Sequence, residues 1–141
     1  MRIVLFSPVF LRPTETFIYD AANALVVSGM DVMALAEKRD SESQFPFDDV
    51  KIIPRLSTNI VHRVLLTFVR LLSKRFANKL IEINQQKRFY NIISRFNPDI
   101  IYASYGHGGV TMAPIAKSLA IPLLVSFHGA DASRRARIIE W

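Results

Sequence analysis

Short, mostly apolar runs recur along the chain, separated by longer polar or amphipathic stretches. Runs of four or five residues without alternation are typical of strands buried on both faces of a parallel sheet. Five segments fit this pattern: residues 2–6, 32–36, 50–53, 100–103 and the run between Pro122 and Gly129. Two prolines predict an irregular loop over residues 7–13, and polar composition predicts another over residues 37–49.

Apolar residues at helical spacing fill most of the remaining chain. They predict helices over residues 14–28, 110–120 and 132–141. In the first helix, Phe17 is expected on a face shared with Ala21, Ala24, Leu25 and Ser28. Thr14 is expected as the cap and Glu15 in the first turn, where a carboxylate suits the helix dipole. Residues 55–97 lack glycine and proline, so long helices are predicted there, with a break near residues 73–78. Five apolar residues are expected to share one apolar face of the second part: Leu80, Ile83, Phe89, Ile93 and Phe96.

The alternation of strands and helices predicts one α/β domain with a Rossmann-like, doubly wound parallel sheet in three α/β/α layers. The right-handed crossover rule places the first two strands side by side and parallel. We expect the usual order of a doubly wound sheet, 3-2-1-4-5. Ligands bind such sheets beyond the carboxyl ends of the strands, where the strand order reverses. Here that point lies between the first and fourth strands. The loops at residues 7–14 and 104–109 are therefore expected to line a crevice, with His128 beside them.

The composition excludes several classes of chemistry. The 141 residues include no cysteine, which excludes disulfides and thiolate chemistry and fits a reducing compartment such as the cytoplasm. The histidines have no paired spacing, so no metal site is predicted. The loop after the first strand lacks glycine, so a dinucleotide site of the G-x-G-x-x-G type is not expected. No P-loop or G-x-S-x-G motif is present.

The net charge of +6 is concentrated in one segment. Residues 55–97 hold nine lysines and arginines against Glu82 alone. Arg63, Arg70 and Lys74 share one helical face, and cations beside apolar residues suit an anionic membrane surface. An ordinary solvated helix face explains the pattern equally well. Nucleic acid is not expected as a partner, because no recognised nucleic-acid module is present.

His128 opens the motif His128-Gly129-Ala130-Asp131 at the end of the last apolar run. An imidazole in this position can hydrogen-bond a ligand hydroxyl or phosphate, or take part in proton transfer. Asp131 can cap the following helix or orient the loop. The alternative is a loop histidine without a ligand, and the residues alone slightly favour that alternative.

Two further segments carry candidate chemistry. Residues 104–109 are glycine-rich and precede a helix, where backbone N–H groups can bind an anion; a flexible turn explains them equally well. Glu15 is expected to project toward the crevice, where its carboxylate could bind sugar hydroxyls. Compensation of the helix dipole is the alternative role of Glu15, and taken alone it is favoured.

Taken together, four segments resemble the N-terminal domain of a family 4 glycosyltransferase of the two-domain GT-B type, over essentially the whole chain. Their order and spacing make the match fairly specific. Thr14 stands where one branch of the family usually has serine, and Met30-Asp31 replaces the family's His-Glu. The segments are residues 2–6 with the loop and Thr14-Glu15-Thr16-Phe17-Ile18, residues 25–32, residues 98–103, and residues 122–131 with the His128 motif.

This resemblance implies transfer of a sugar from a nucleotide-sugar, with retention of anomeric configuration and without a metal or other cofactor. The acceptor is expected to be a polysaccharide or a lipid-linked saccharide. The resemblance also implies that His128 is catalytic and hydrogen-bonds the donor sugar near the breaking bond. Substrate-binding residues are expected to be Thr14, Glu15, Tyr105, His107, Gly108, Gly109 and Asp131.

The family carries most of its donor site in a second, C-terminal domain. We therefore expect residues 1–141 to be the first domain of a longer enzyme and to be inactive alone. We expect this enzyme in the cytoplasm, at the inner face of the plasma membrane, with Arg63, Arg70 and Lys74 contacting the lipid. The alternative is a non-catalytic α/β module for binding or membrane docking that uses residues 55–97.

Overall fold

The computed structural model describes residues 1–10, 12–40, 42–55 and 73–129. Strands and helices alternate along most of this length, as the apolar pattern predicts. The elements are β1 (Arg2–Phe10), α1 (Thr16–Val27), β2 (Asp31–Arg39), β3 (Val50–Ile52), α2 (Lys74–Phe96), β4 (Ile100–Ser104), α3 (Gly106–Leu119) and β5 (Leu123–Ser126). The helix predicted over residues 132–141 lies outside the described residues, and so does the part of the predicted helical segment over residues 56–72.

All five strands form one parallel sheet in the order β3-β2-β1-β4-β5. This order confirms the prediction of a Rossmann-like, doubly wound sheet. β1 is central and pairs with β2 on one side and β4 on the other. Because the chain leaves β1 and β4 toward different neighbours, their exit loops diverge at the carboxyl edge of the sheet.

The two faces of the sheet are buried against different helices. On one face, Val4 and Phe6 belong to a cluster that includes Phe89 of α2 and Met112 of α3. On the other face, Ile3 and Leu5 pack with residues of α1. Successive side chains of a strand point to opposite faces of the sheet. Because residues 3–6 of β1 are all apolar, the strand is buried on both faces.

β1 is longer than the apolar run predicts. The loop predicted over residues 7–13 is wrong for its first part, because β1 continues through Pro8 to Phe10 alongside an equally extended β2. β4 pairs with β1 only as far as Phe6. Beyond Phe6, β1 has one hydrogen-bonded neighbour, and proline is tolerated where a strand is unpaired on one side.

α1 begins two residues later than predicted and turns a different side to the sheet. Glu15 is its N-cap residue and makes no side-chain cap, so Thr14 is not the cap and Glu15 does not lie in the first turn. The buried residues of α1 are Ile18 and Ala22, whereas Phe17 is 36% exposed. Apolar residues follow both Phe17 and Ile18 at helical spacing, so the sequence allows either side of α1 to be buried. Packing against the sheet buries the side that contains Ile18.

α2 starts where the sequence predicts a break. Ser73 caps it by accepting a hydrogen bond from the backbone of Phe76, and Asn97 ends it in the left-handed conformation. Its buried stripe follows a four-residue repeat: Ala77, Ile81, Gln85, Phe89 and Ile93. Leu80 and Ile83 are predicted to share one face with Phe89 and Ile93, but they are 39% and 55% exposed and lie outside the buried stripe, so this part of the prediction is wrong. A search for strongly hydrophobic residues does not find this stripe, because it contains an alanine and a glutamine. The buried amide of Gln85 has a hydrogen-bond partner: its Nε2 donates to Glu37 Oε1 at 2.9 Å.

α3 begins immediately after Tyr105, four residues earlier than predicted, so the glycine-rich residues form its first turn. Gly108 and Gly109 are buried there against the sheet. A methyl group at Gly109 would lie 2.8 Å from Val125 of β5, whereas one at Gly108 would lie 3.5 Å from Phe6. The close approach of α3 to β5 therefore depends on the missing side chain at Gly109.

We expect Gly109→Ala to destabilise the domain by about 1–3 kcal/mol, the usual cost of overpacking a core. The added methyl group would overlap both γ-carbons of Val125 and push α3 away from β5. Urea denaturation measures the change. Gly108→Ala is the matched control: its methyl group makes ordinary contact with Phe6, so its stability should be unchanged or slightly higher. Equal losses in the two variants would contradict this account.

Tyr105 has a φ of 69° and a ψ of 153°, a backbone region that is populated almost only by glycine. Holding a tyrosine there costs about 1–3 kcal/mol. Tyr105→Gly and Tyr105→Ala both remove the ring, but only glycine relieves the backbone. We therefore expect the glycine variant to be the more stable of the two by about 1 kcal/mol or more in urea denaturation.

Glu15 provides the control for this comparison, because it is also an N-cap residue but has an ordinary φ of −122°. Glycine is moderately preferred over alanine at any N-cap. The stability difference between Glu15→Gly and Glu15→Ala should therefore be smaller than the difference at Tyr105. A difference at Tyr105 no larger than that at Glu15 would show that the Tyr105 backbone is not strained.

Candidate functional site

A cavity of about 600 Å³ lies at the carboxyl ends of β1, β4 and β5. Its position is the predicted crevice, where the exit loops of β1 and β4 diverge. Four parts of the chain line it: residues 7–9 at the end of β1, the loop into α1 with the first turn of that helix, the residues that follow β4, and the residues that follow β5. The topology thus gathers side chains from distant parts of the sequence around one opening.

His128 follows β5 at the rim of this cavity and is not packed into the interior. Its Nε2 lies 3.0 Å from the hydroxyl of Ser126. The imidazole lies over the Phe17 ring, with centroids 4.3 Å apart and a tilt of 36°, and contacts the edge of Tyr105 at 5.6 Å. A hydroxyl can donate or accept, so Ser126 can hold the imidazole in either neutral tautomer. Ser126 therefore contacts one nitrogen of the His128 ring and Phe17 packs against one of its faces, while the ring still lines the cavity.

Aromatic rings form one wall of the cavity. Tyr105 stacks on His107, with centroids 5.5 Å apart and an interplanar angle of 16°, and meets Phe17 edge to face at 6.2 Å. Tyrosine and histidine combine an apolar ring with polar atoms. This wall can contact the apolar face of a ligand and hydrogen-bond its hydroxyl groups.

Charged side chains also line the cavity, in the loop between β1 and α1. Arg12 Nη1 lies 3.3 Å from Glu15 Oε1. The Glu15 side chain is mostly buried, whereas about half of the Arg12 side chain is exposed. A guanidinium can pair with a phosphate, and a carboxylate accepts hydrogen bonds from hydroxyls. The loop therefore offers a cation for the phosphate and a carboxylate for the hydroxyl groups of a phosphorylated sugar.

Five of the residues singled out from the sequence line this single cavity: Thr14, Glu15, Tyr105, His107 and His128. Gly108 and Gly109 do not line it, because they are buried in α3 against the sheet. Asp131, Arg63 and Arg70 lie outside the described residues. Lys74 is exposed in the first turn of α2.

Phe17 and Ser126 are not predicted as site residues from the sequence, and Arg12 is predicted only as part of the loop over residues 7–14. Ser126 lies two residues before His128 at the end of a strand, and this spacing brings side chains to one side of extended backbone. That spacing was a usable signal. Phe17 belongs to an apolar helical face, and nothing in its local sequence distinguishes a rim position from a core position.

Within residues 1–10, 12–40, 42–55 and 73–129, no three histidine, aspartate or glutamate side chains are grouped so that they could hold a metal ion. None of the helices in the same ranges is both long and apolar enough to span a membrane.

Solved structures with a similar fold come from proteins of different kinds. Two structures of the C-terminal domain of PF1911 hydrogenase from Pyrococcus furiosus match with TM-scores of 0.53, at 14% and 12% identity, over 89% of this chain and 90% of theirs. TcCGT1, a glycosyltransferase solved in complex with UDP, matches with a TM-score of 0.51 at 14% identity, over 89% of this chain and 28% of its own. At these identities the likeness shows the α/β fold alone.

The sequence itself gives the more specific match. No curated protein is similar to the chain at a significant level. The model of Glycosyltransferase Family 4 matches residues 14–141, which include the cavity-lining residues from Thr14 onward and His128. By this match over most of its length, the chain belongs to Glycosyltransferase Family 4.

Proposed function

We propose that this glycosyltransferase domain belongs to an enzyme that transfers a sugar from a nucleotide-sugar to a saccharide acceptor, with retention of anomeric configuration. The observation that carries the proposal is His128, held by Ser126 and Phe17 at the rim of the cavity at the switch point of the sheet. Family membership favours this function over a non-catalytic binding module.

The charges of the cavity suit a nucleotide-sugar as the donor. Arg12 is a half-exposed cation at the cavity, and a guanidinium pairs well with phosphate oxygens. TcCGT1, which shares the fold, was solved in complex with UDP. The proposal assigns charge neutralisation on the phosphates to cations of the protein and includes no metal. A second α/β domain of the same protein would complete the cleft and hold the nucleotide.

His128 would act on the sugar as it is transferred. In this reaction the carbon–oxygen bond between the anomeric carbon and the phosphate breaks, and the acceptor oxygen bonds to that carbon on the same face. The acceptor proton leaves with the nucleotide. Because Nε2 of His128 is hydrogen-bonded to the Ser126 hydroxyl, we assign the hydrogen bond with a sugar hydroxyl to Nδ1. A positioned group of this kind favours the transition state by orienting the sugar.

The acceptor would occupy the remainder of the cavity. Glu15 and Thr14 can bind acceptor hydroxyls, while Tyr105 and His107 offer a ring wall for the apolar face of a sugar. A saccharide that is part of a polysaccharide, or linked to a lipid, presents both kinds of surface. The cysteine-free chain fits a reducing compartment, so we place the reaction in the cytoplasm.

We expect His128→Ala, made in the complete enzyme, to lower kcat by about 100-fold or more, as is usual when a positioned catalytic group is lost. Transfer of sugar from a panel of nucleotide-sugars, followed by chromatography, measures the rate and identifies the donor. The anomeric configuration of the product, read from its proton NMR spectrum, tests retention.

His107→Ala is the matched comparison for His128→Ala, because His107 also lines the cavity but lies farther along the aromatic wall. We expect His107→Ala to raise the KM for the acceptor more than it lowers kcat. A His128→Ala enzyme with near-normal kcat, or an inverted product, would contradict the proposed mechanism.

Phe17→Leu tests whether the ring beneath His128 matters for turnover. Leucine keeps an apolar side chain but removes the aromatic face, and such ring contacts contribute about 0.5–1.5 kcal/mol. We expect kcat to fall roughly two- to tenfold in steady-state assays, with Phe17→Tyr close to the native enzyme. Equal rates for the leucine and tyrosine variants would show that the stacking does not position His128.

A further inference from the structure

α2 carries apolar residues on the side that faces away from the core. Phe76, Leu80, Ile83 and Tyr90 are each 39% to 58% exposed. With Lys87 they are spaced by four, three, four and three residues, so they follow one side of the helix. We call these five residues the outer stripe. A surface helix normally turns polar side chains to water, and α2 is apolar on two opposite sides.

The charge around the outer stripe is strongly positive. α2 contains six lysines and arginines and only one carboxylate, that of Glu82. Lys79 and Lys87 lie beside and within the outer stripe, and both are exposed. Among the described residues, no ion pair involves a cation of α2. Arg88 donates to the carbonyl of Pro54 at 3.1 Å, whereas the exposed Lys79 and Lys87 are available to an anionic partner.

The two properties together select the partner. A second copy of α2 would bring two strongly cationic helices together, and like charges oppose such an interface. A soluble polyanion would match the lysines but not the exposed phenylalanine, leucine and isoleucine. An anionic lipid surface offers phosphate groups to the lysines and acyl chains to the apolar residues. The stripe runs for about 21 Å along the helix, enough to lie in the membrane interface.

We propose that α2 docks this domain on an anionic lipid surface through the outer stripe, with Lys79 and Lys87 contacting the lipid phosphates. This surface is separate from the cavity, because no residue of α2 lines it. The docking residues also differ from those the sequence indicates. Lys74 is exposed in the first turn of α2, but it lies three residues before Ala77 and seven before Ile81. It is therefore on the side of the helix that carries the buried stripe, away from the outer stripe.

The test is co-sedimentation of the full chain with vesicles made of equal amounts of phosphatidylglycerol and phosphatidylcholine. Binding should weaken as salt is raised, because exposed charges are screened. Removing two interfacial cations by Lys79→Gln with Lys87→Gln should lower the partition coefficient about tenfold or more. Leu80→Ser with Ile83→Ser should lower it to a similar extent, because the inserted apolar area is lost.

Two controls separate the outer stripe from general charge and hydrophobicity. Lys74→Gln removes a cation of the same helix on its other side, and Val27→Ser removes an apolar side chain of α1 that is 87% exposed. Both should bind nearly as well as the native chain. All the substituted residues are exposed, and circular dichroism verifies that each variant is folded.

Three outcomes would overturn the proposal. The first is binding that both outer-stripe double variants retain, and the second is equal binding to vesicles of phosphatidylcholine alone. The third is self-association that Leu80→Ser with Ile83→Ser abolishes, without any vesicle binding. Since the assay needs no turnover, its result is independent of whether the proposed transferase reaction is correct.

Discussion

The parallel pairing of β1 with β4 is the constraint on which the site depends. Every strand runs in the same direction, so every strand delivers its chain exit to the same edge of the sheet. The chain leaves β1 for α1 on one face and leaves β4 for α3 on the other. The two loops cannot close over the gap between these strands. The cavity, with Glu15 on one side and Tyr105 on the other, follows from this divergence.

Close packing of α3 on the sheet then determines how the cavity is lined. Gly109 allows the first turn of α3 to approach Val125 of β5. Tyr105 must therefore turn sharply between β4 and α3, and it is held at both backbone groups: its N–H donates to Ser126, and its carbonyl accepts from Gly109. This fixes a tyrosine in a glycine-like conformation and directs its ring toward Phe17 and His128. Strain at one backbone position is thus linked to the aromatic wall of the site.

The parallel sheet could be predicted because its buried strands lack polar alternation and alternate with helices, and its strand order is the usual one for a doubly wound sheet. The position of the cavity, and the presence of Glu15 and His128 beside it, follow from the same rule. Local patterns failed where tertiary packing chooses between equivalent options. The shift from Phe17 to Ile18 on α1, and the burial of Ala77 and Gln85 instead of Leu80 and Ile83 on α2, are decided by the partner surface. The continuation of β1 through Pro8 depends on where β4 ends, which no local pattern reveals.

A rigid connection joins the surface proposed to meet lipid to the cavity. α2 contacts β1 through the edge-to-face pair of Phe89 and Phe6, with ring centroids 5.4 Å apart. Gln86 donates to the carbonyl of Thr111 in α3 at 2.8 Å. Phe6 also lies against Gly108, three residues beyond Tyr105. Because packed elements move together, a lipid surface that fixes α2 also fixes the direction in which the cavity opens. An acceptor linked to the same lipid surface would then meet His128 in a restricted range of orientations, which lowers the entropy lost on reaching the reactive geometry.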